Sequence, residues 1–135
     1  TIEGEVNNIL AQLVDFQMLF EMDGKNINNY IVYDDDNTWP LELSSGMERF
    51  ISSLAMRVGL INVSNLPRSN FLAIDEGWGT MDSDNLNSVA QLFQYLKSQF
   101  QFTFVVSHIE TMRDFVDTLL EIKKIDGSSS VRFSR

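Results

Sequence analysis

Asp75 and Glu76 close a short apolar run, Phe71-Leu72-Ala73-Ile74, and His108 follows a second one that ends Val105-Val106-Ser107. Adjacent carboxylates at the end of a strand suit nucleotide hydrolysis. The first can hold a magnesium ion through water, because magnesium keeps much of its hydration shell. The second can polarise an attacking water, and a nearby imidazole can donate to a terminal phosphate. A third piece, Leu43-Ser44-Ser45-Gly46-Met47-Glu48, is a polar, glycine-containing turn opening a helix. Free backbone N–H groups and the helix dipole favour an anion there. Each piece also has a plain structural reading: the start of a loop, a structural histidine, a helix cap. Their order and spacing on one scaffold turn them into a candidate phosphate site.

The surrounding elements must bring these tips together. Ile2, Val6, Ile9, Leu10, Leu13 and Val14 have helical spacing, which predicts a helix over 2–14. Phe16, Met18 and Phe20 alternate as one face of a strand. Asp23-Gly24 then turns the chain into a returning strand over 29–33. Gly24-Lys25 is not a phosphate loop, lacking the upstream glycine and the following Ser or Thr. Asp34-Asp35-Asp36-Asn37 reads as a solvated loop, without the glycine and distant glutamate of a calcium loop.

Ser45 and Glu48 fit a capping box, and the helix beyond them carries Met47, Phe50, Ile51, Leu54, Val58 and Ile61 on one side, fading near Asn62. Phe71–Ile74 and Phe102–Val106 read as strands buried on both faces. Between them come a flexible Gly77-Trp78-Gly79 loop and a helix capped by Asp82 or Ser83, with Leu86, Val89, Ala90, Phe93, Leu96 and Phe100 inward. A short helix over 110–115 and a closing hairpin with Asp126-Gly127 at its turn complete the chain.

Strand, helix, strand, helix over 71–115 predicts parallel strands, and ligands of such sheets bind beyond the strands' carboxyl ends. Asp75, Glu76 and His108 fall at that edge. The expected fold class is α/β, a mainly parallel sheet with flanking helices plus antiparallel hairpins.

The chain has 135 residues, enough for one compact domain, and no cysteine, which removes disulfides and thiolate metal sites. No apolar run approaches the ~20 residues of a membrane span, and no secretory leader is visible. These features suggest a cytoplasmic protein, and a start at Thr1 suggests a fragment or processed product. The net charge is −9. Residues 1–48 hold ten acids against Lys25, and the remainder balances nine against nine, so the whole excess lies in that first part. An acidic surface repels phosphate backbones, which argues against DNA binding by this piece alone.

Leu43-Ser44-Ser45-Gly46-Met47 resembles the signature motif of ABC-type ATPases, usually Leu-Ser-Gly-Gly followed by Gln or Glu. Phe71 to Glu76 resembles their Walker B strand with its catalytic glutamate, Thr80-Met81-Asp82 their D-loop, and His108 their switch histidine. Transporter members usually carry proline after that glutamate. Gly77, within Asp75-Glu76-Gly77-Trp78-Gly79-Thr80-Met81-Asp82, is instead similar to the SbcC branch of DNA-repair ATPases, related to the SMC proteins. The likeness runs from about Asn7 to Arg135. It departs at Ser45, in place of the first signature glycine, and at Met47. No Walker A loop or Q-loop is recognisable.

The resemblance implies that residues 1–135 are the carboxy-terminal lobe of a split head. Residues 1–14 would end a returning coiled-coil helix, 43–62 would carry the signature and its helix, and 71–115 would hold Walker B, D-loop and switch histidine. It implies ATP and Mg2+ as cofactors. Asp75 would hold the metal, and Glu76 and His108 would be catalytic. Ser44, Ser45 and Gly46 would bind the ATP of an opposing head, and Asp82 would link the two sites. The implied partners are the amino-terminal lobe, a second head in a homodimer, a nuclease subunit, and DNA through the full complex, with no membrane. The implied setting is cytoplasmic: at the nucleoid, or in the infected host cytoplasm for a viral protein. The piece alone would be inactive. A structural clamp with little hydrolysis and a transporter's nucleotide-binding subunit are the competing readings, the latter disfavoured by Gly77 and by the hairpin before the signature.

Overall fold

In the computed structural model, residues 1–75, 77–80 and 86–134 are described, Thr80 and Leu86 by their backbone alone. Among the described residues, three α-helices and seven strands form a mixed α/β arrangement: α1 Ile2–Leu10, β1 Gln17–Asp23, β2 Asn26–Asp34, β3 Asn37–Pro40, α2 Gly46–Val63, β4 Phe71–Asp75, α3 Leu86–Gln99, β5 Phe102–Val106, β6 Leu119–Ile125 and β7 Ser128–Ser134. Short 3-10 turns lie at Leu41–Leu43, Trp78–Thr80 and Glu110–Phe115, the last at the place of the expected short helix.

β1, β2 and β3 make an antiparallel sheet in that order, β4 and β5 pair in parallel, and β6 and β7 form the closing hairpin. β3 escaped the sequence reading. Four residues ending in proline are too short to show alternation, and the acidic loop before them is the turn of a second hairpin. Asp34 Oδ1 accepts from the N–H groups of Asp36 and Asn37, both at 3.0 Å, so this carboxylate serves the turn.

The core joins α1, α2 and α3 with the inner sheet faces. Val6, Ile9, Leu10, Met18, Ile31, Ile51, Val58, Val89, Leu92 and Leu96 are all buried, each worth roughly 1.5–3 kcal/mol against exposure for a residue of leucine size. α1 is shorter than the predicted 2–14 helix. The N–H groups of Gln12 and Leu13 bond carbonyls three residues back, at 3.1 and 2.8 Å, which tightens the final turn while Leu13 stays buried. α1 and α2 approach closely at Gly59, where a Cβ would stand 3.0 Å from Val6 Cγ2.

The expectation that β4 and β5 are buried on both faces fails within this chain. Ile74 is buried, but Phe71 and Phe102 are each 58% exposed, and Phe104 and Val106 also face solvent. Helices and core cover one face of this pair. The opposite face alternates Phe71, Ala73 and Asp75 beside Phe102, Phe104 and Val106, all open.

Candidate functional site

The turn before α2 is organised by the Ser45 cap. Ser45 Oγ accepts from Glu48 N–H at 3.2 Å, and Ser45 N–H donates to Glu48 Oε2 at 2.7 Å, completing the capping box. The amides of Gly46 and Met47, first in the helix, precede any intrahelical acceptor, so they are donors that the helix itself does not use. Met47 itself is a core residue. Ser44 is buried, and its Oγ has no hydrogen-bond partner among the described residues. Such a buried hydroxyl is costly unless something binds it.

At the other edge, Asp75 pairs in register with Val106. The chain beyond Val106 continues as Ser107-His108, so both parallel strands deliver polar tips at one end of the pair. Asp75 and His108 are exposed. Ser107 is turned inward locally, its Oγ accepting from Ile109 N–H at 3.1 Å. An exposed aspartate at a strand end fits a magnesium ion, which takes one or two carboxylates and fills its remaining positions with water and substrate phosphate. The two remaining predicted site residues, Glu76 and Asp82, lie outside the described residues.

Trp78 is the residue that sequence reasoning missed. Gly77-Trp78-Gly79 was expected as a flexible loop, yet Trp78 is 1% exposed. Its ring sits 4.8 Å from Phe50 of α2 and 5.5 Å from Phe93 of α3, centroid to centroid, and Phe93 stacks on Phe115. Gly77 adopts φ +99°, and a Cβ there would come within 2.8 Å of the Phe50 ring. The chain leaving β4 is thereby held against the helix that the Ser45 turn opens. The one available signal was a tryptophan between glycines, and its size argued for burial.

A cleft of about 510 Å³ runs between the end of α1, β2, the start of α2 and α3, with Asp15, Tyr33, Ser45, Glu48 and Gln91 in its wall. Neither Asp75 nor His108 lines it. The Ser45 turn and the strand tips therefore open on different surroundings. Tyr33 Oη donates to Glu48 Oε1 at 2.8 Å. Burial and that bond push the Tyr33 hydroxyl up to about 12. Burial alone would raise Glu48, but bonds from Ser45 N–H and Tyr33 outweigh it and hold the carboxyl below its usual range.

The fold is that of an SMC ATPase head. One solved structure, described for ATP-driven dimerization and DNA-stimulated activation of SMC ATPases, superposes with a TM-score of 0.79 at 17% identity over 99% of this chain and 83% of that one. The Smc head domain of Pyrococcus furiosus, with an extended coiled coil and bound to the C-terminal domain of ScpA, gives 0.72 at 18% over 98% of this chain and 34% of that one.

Sequence relatives narrow the class. Uncharacterized protein R555 of Acanthamoeba polyphaga mimivirus is 34% identical over 96% of this chain, and the SbcC component of the SbcCD nuclease of Staphylococcus aureus (strain JH9) is 33% identical over 67%. No protein-family model matches. The chain is a carboxy-terminal region of an SbcC/SMC-like ABC-type ATPase. It spans only 11% and 9% of those two relatives.

Proposed function

We propose that this chain is the carboxy-terminal lobe of an ATP-hydrolysing head in a DNA-end-processing complex. The carrying observation is the β4–β5 pair. Its parallel strands end in Asp75 and Ser107-His108 at one edge, and one whole apolar face stays open. An amino-terminal lobe bearing the phosphate loop would cover that face and complete the site.

In this reading Asp75 helps hold magnesium, Glu76 accepts the proton of the attacking water, and His108 donates to the γ-phosphate. Magnesium, when bound, neutralises phosphate charge. Ser44, Ser45 and Gly46 act on ATP held by a second head. The Gly46 and Met47 amides carry that contact, because the Ser45 hydroxyl is committed to the cap. Asp82 links the two sites. ATP then joins two heads, hydrolysis releases them, and the cycle gates a nuclease partner acting on DNA ends. Residues 1–14 end the returning coiled-coil helix. DNA contact belongs to the full complex, since the acidic first third of this chain disfavours it.

Glu76→Gln in the parent protein tests the base assignment. Turnover falls by at least about a hundredfold while ATP binding persists, as expected for loss of a general base. Turnover surviving that change removes Glu76 from the role. A clamp with little hydrolysis is the second reading, favoured by the buried Met47 and the committed Ser45 hydroxyl. It predicts ATP-driven dimerisation without appreciable turnover in the unaltered parent.

A further inference from the structure

Glu48 does more than close the capping box. Its Oε2 accepts from Ser45 N–H at 2.7 Å, and its Oε1 accepts from Tyr33 Oη at 2.8 Å. The carboxylate therefore joins the turn before α2 to β2, with each oxygen committed to a different element. A capping glutamate needs only the first of these bonds. Tyr33 is itself held in place. Its ring stacks on Trp39 of β3, centroids 5.4 Å apart, and meets Phe16 at 5.6 Å. It also sits where the β2–β3 register shifts, between Val32 and Asp34, and such irregularities re-aim a side chain.

Glu48 puts a negative charge in the first turn of α2, beside the amides of Gly46 and Met47. A carboxylate suits a helix amino end. A mobile one, however, would compete with an incoming phosphate for the same N–H groups and repel it. The Tyr33 bond keeps Oε1 towards β2 while Oε2 stays on Ser45 N–H. The Gly46 and Met47 amides are then left to an external anion, and the turn has its geometry before anything binds. Donors fixed in advance lose less freedom on binding.

We propose that Tyr33 is a positioning residue for the Ser44–Gly46 turn, acting through Glu48. The inference rests on reading that turn as the contact to ATP held by a second head. It adds that the antiparallel β1–β3 sheet sets the geometry of the contact.

Tyr33→Phe keeps the ring and removes only the hydroxyl, so the fold survives the test. In the full-length parent carrying Glu76→Gln, light scattering against ATP concentration reads the midpoint of dimerisation. Nucleotide binding at protein concentrations below the dimerisation range reads the ATP affinity of the single head. Tyr33→Phe is expected to raise the midpoint about three- to tenfold and to leave the single-head affinity unchanged, a split that a general loss of stability would not give. Glu48→Ala should also raise the midpoint, and adding Tyr33→Phe to it should change nothing further, because the link is already broken. An unshifted midpoint in Tyr33→Phe, an equal further shift in the Glu48→Ala background, or a matching loss of single-head affinity would each overturn the positioning role while the contact between heads stands. Absence of ATP-driven dimerisation with Tyr33 intact would overturn the contact between heads and this role with it.

Discussion

Tyr33 and Glu48 form a side-chain bond that ties β2 to the mouth of α2. Tyr33→Phe should cost about 0.5–1 kcal/mol at neutral pH, the low range for a half-exposed hydrogen bond. The sign of its pH dependence follows from the shifted groups. The Tyr33 hydroxyl is raised from 10.0 to about 12, so its stabilisation is complete below pH 10 and disappears as pH climbs to about 12. Glu48 is lowered, so its share is present above its ordinary 4.5 and fades as pH falls below that. Denaturant unfolding of both forms from pH 4 to 12 should show the gap between them widest at neutral pH and closing at both ends. A constant gap would mean that the hydroxyl is not bound to the carboxylate in solution.

At the scale of elements, the aromatic chain Phe50, Trp78, Phe93 and Phe115 joins α2, the exit of β4, α3 and the turn after β5. Gly77 is its tightest point. Gly77→Ala places a Cβ on a residue held at φ +99° and against the Phe50 ring, and should destabilise by about 1–3 kcal/mol. Combining it with Phe50→Leu removes the ring but not the backbone strain, so urea unfolding of the double variant should recover only part of the loss relative to Phe50→Leu alone. Full recovery would assign the whole effect to the ring contact. Since Gly77 directly follows Glu76, this joint also fixes where the chain departs from the proposed catalytic edge.

At the scale of the whole molecule, the described residues include open apolar surfaces on the β4–β5 face with Phe71, Phe102 and Phe104 and on the β6–β7 face with Ile122, Val131 and Phe133. Apolar area of this extent in one small chain marks a surface to be covered. Light scattering of the parent in a Glu76→Gln background should show its mass rising towards twice the starting value when ATP is added. An unchanged mass with ATP demonstrably bound would mean that the Ser44–Gly46 turn does not act across two heads. The departures at Ser45 and Met47 would then become the relevant difference from the family.

What the sequence determined by itself were the locally encoded features. The Ser45–Glu48 box starts α2 because both partners lie within one turn, and the stripe Met47, Ile51, Leu54 and Val58 faces the core because its spacing is helical. The Asp23-Gly24 and Asp126-Gly127 turns set their hairpins, and the two apolar runs pair in parallel because a helix separates them. Tertiary structure decided what depends on partners distant in sequence. Trp78 is an anchor because Phe50 and Phe93 meet around it, and α1 closes the edge of β1 because Glu3 and Asn7 find amides across a turn. β4 and β5 stay open on one face because a continuous apolar run states only that a strand is to be covered, while the covering layer must come from elsewhere in the fold.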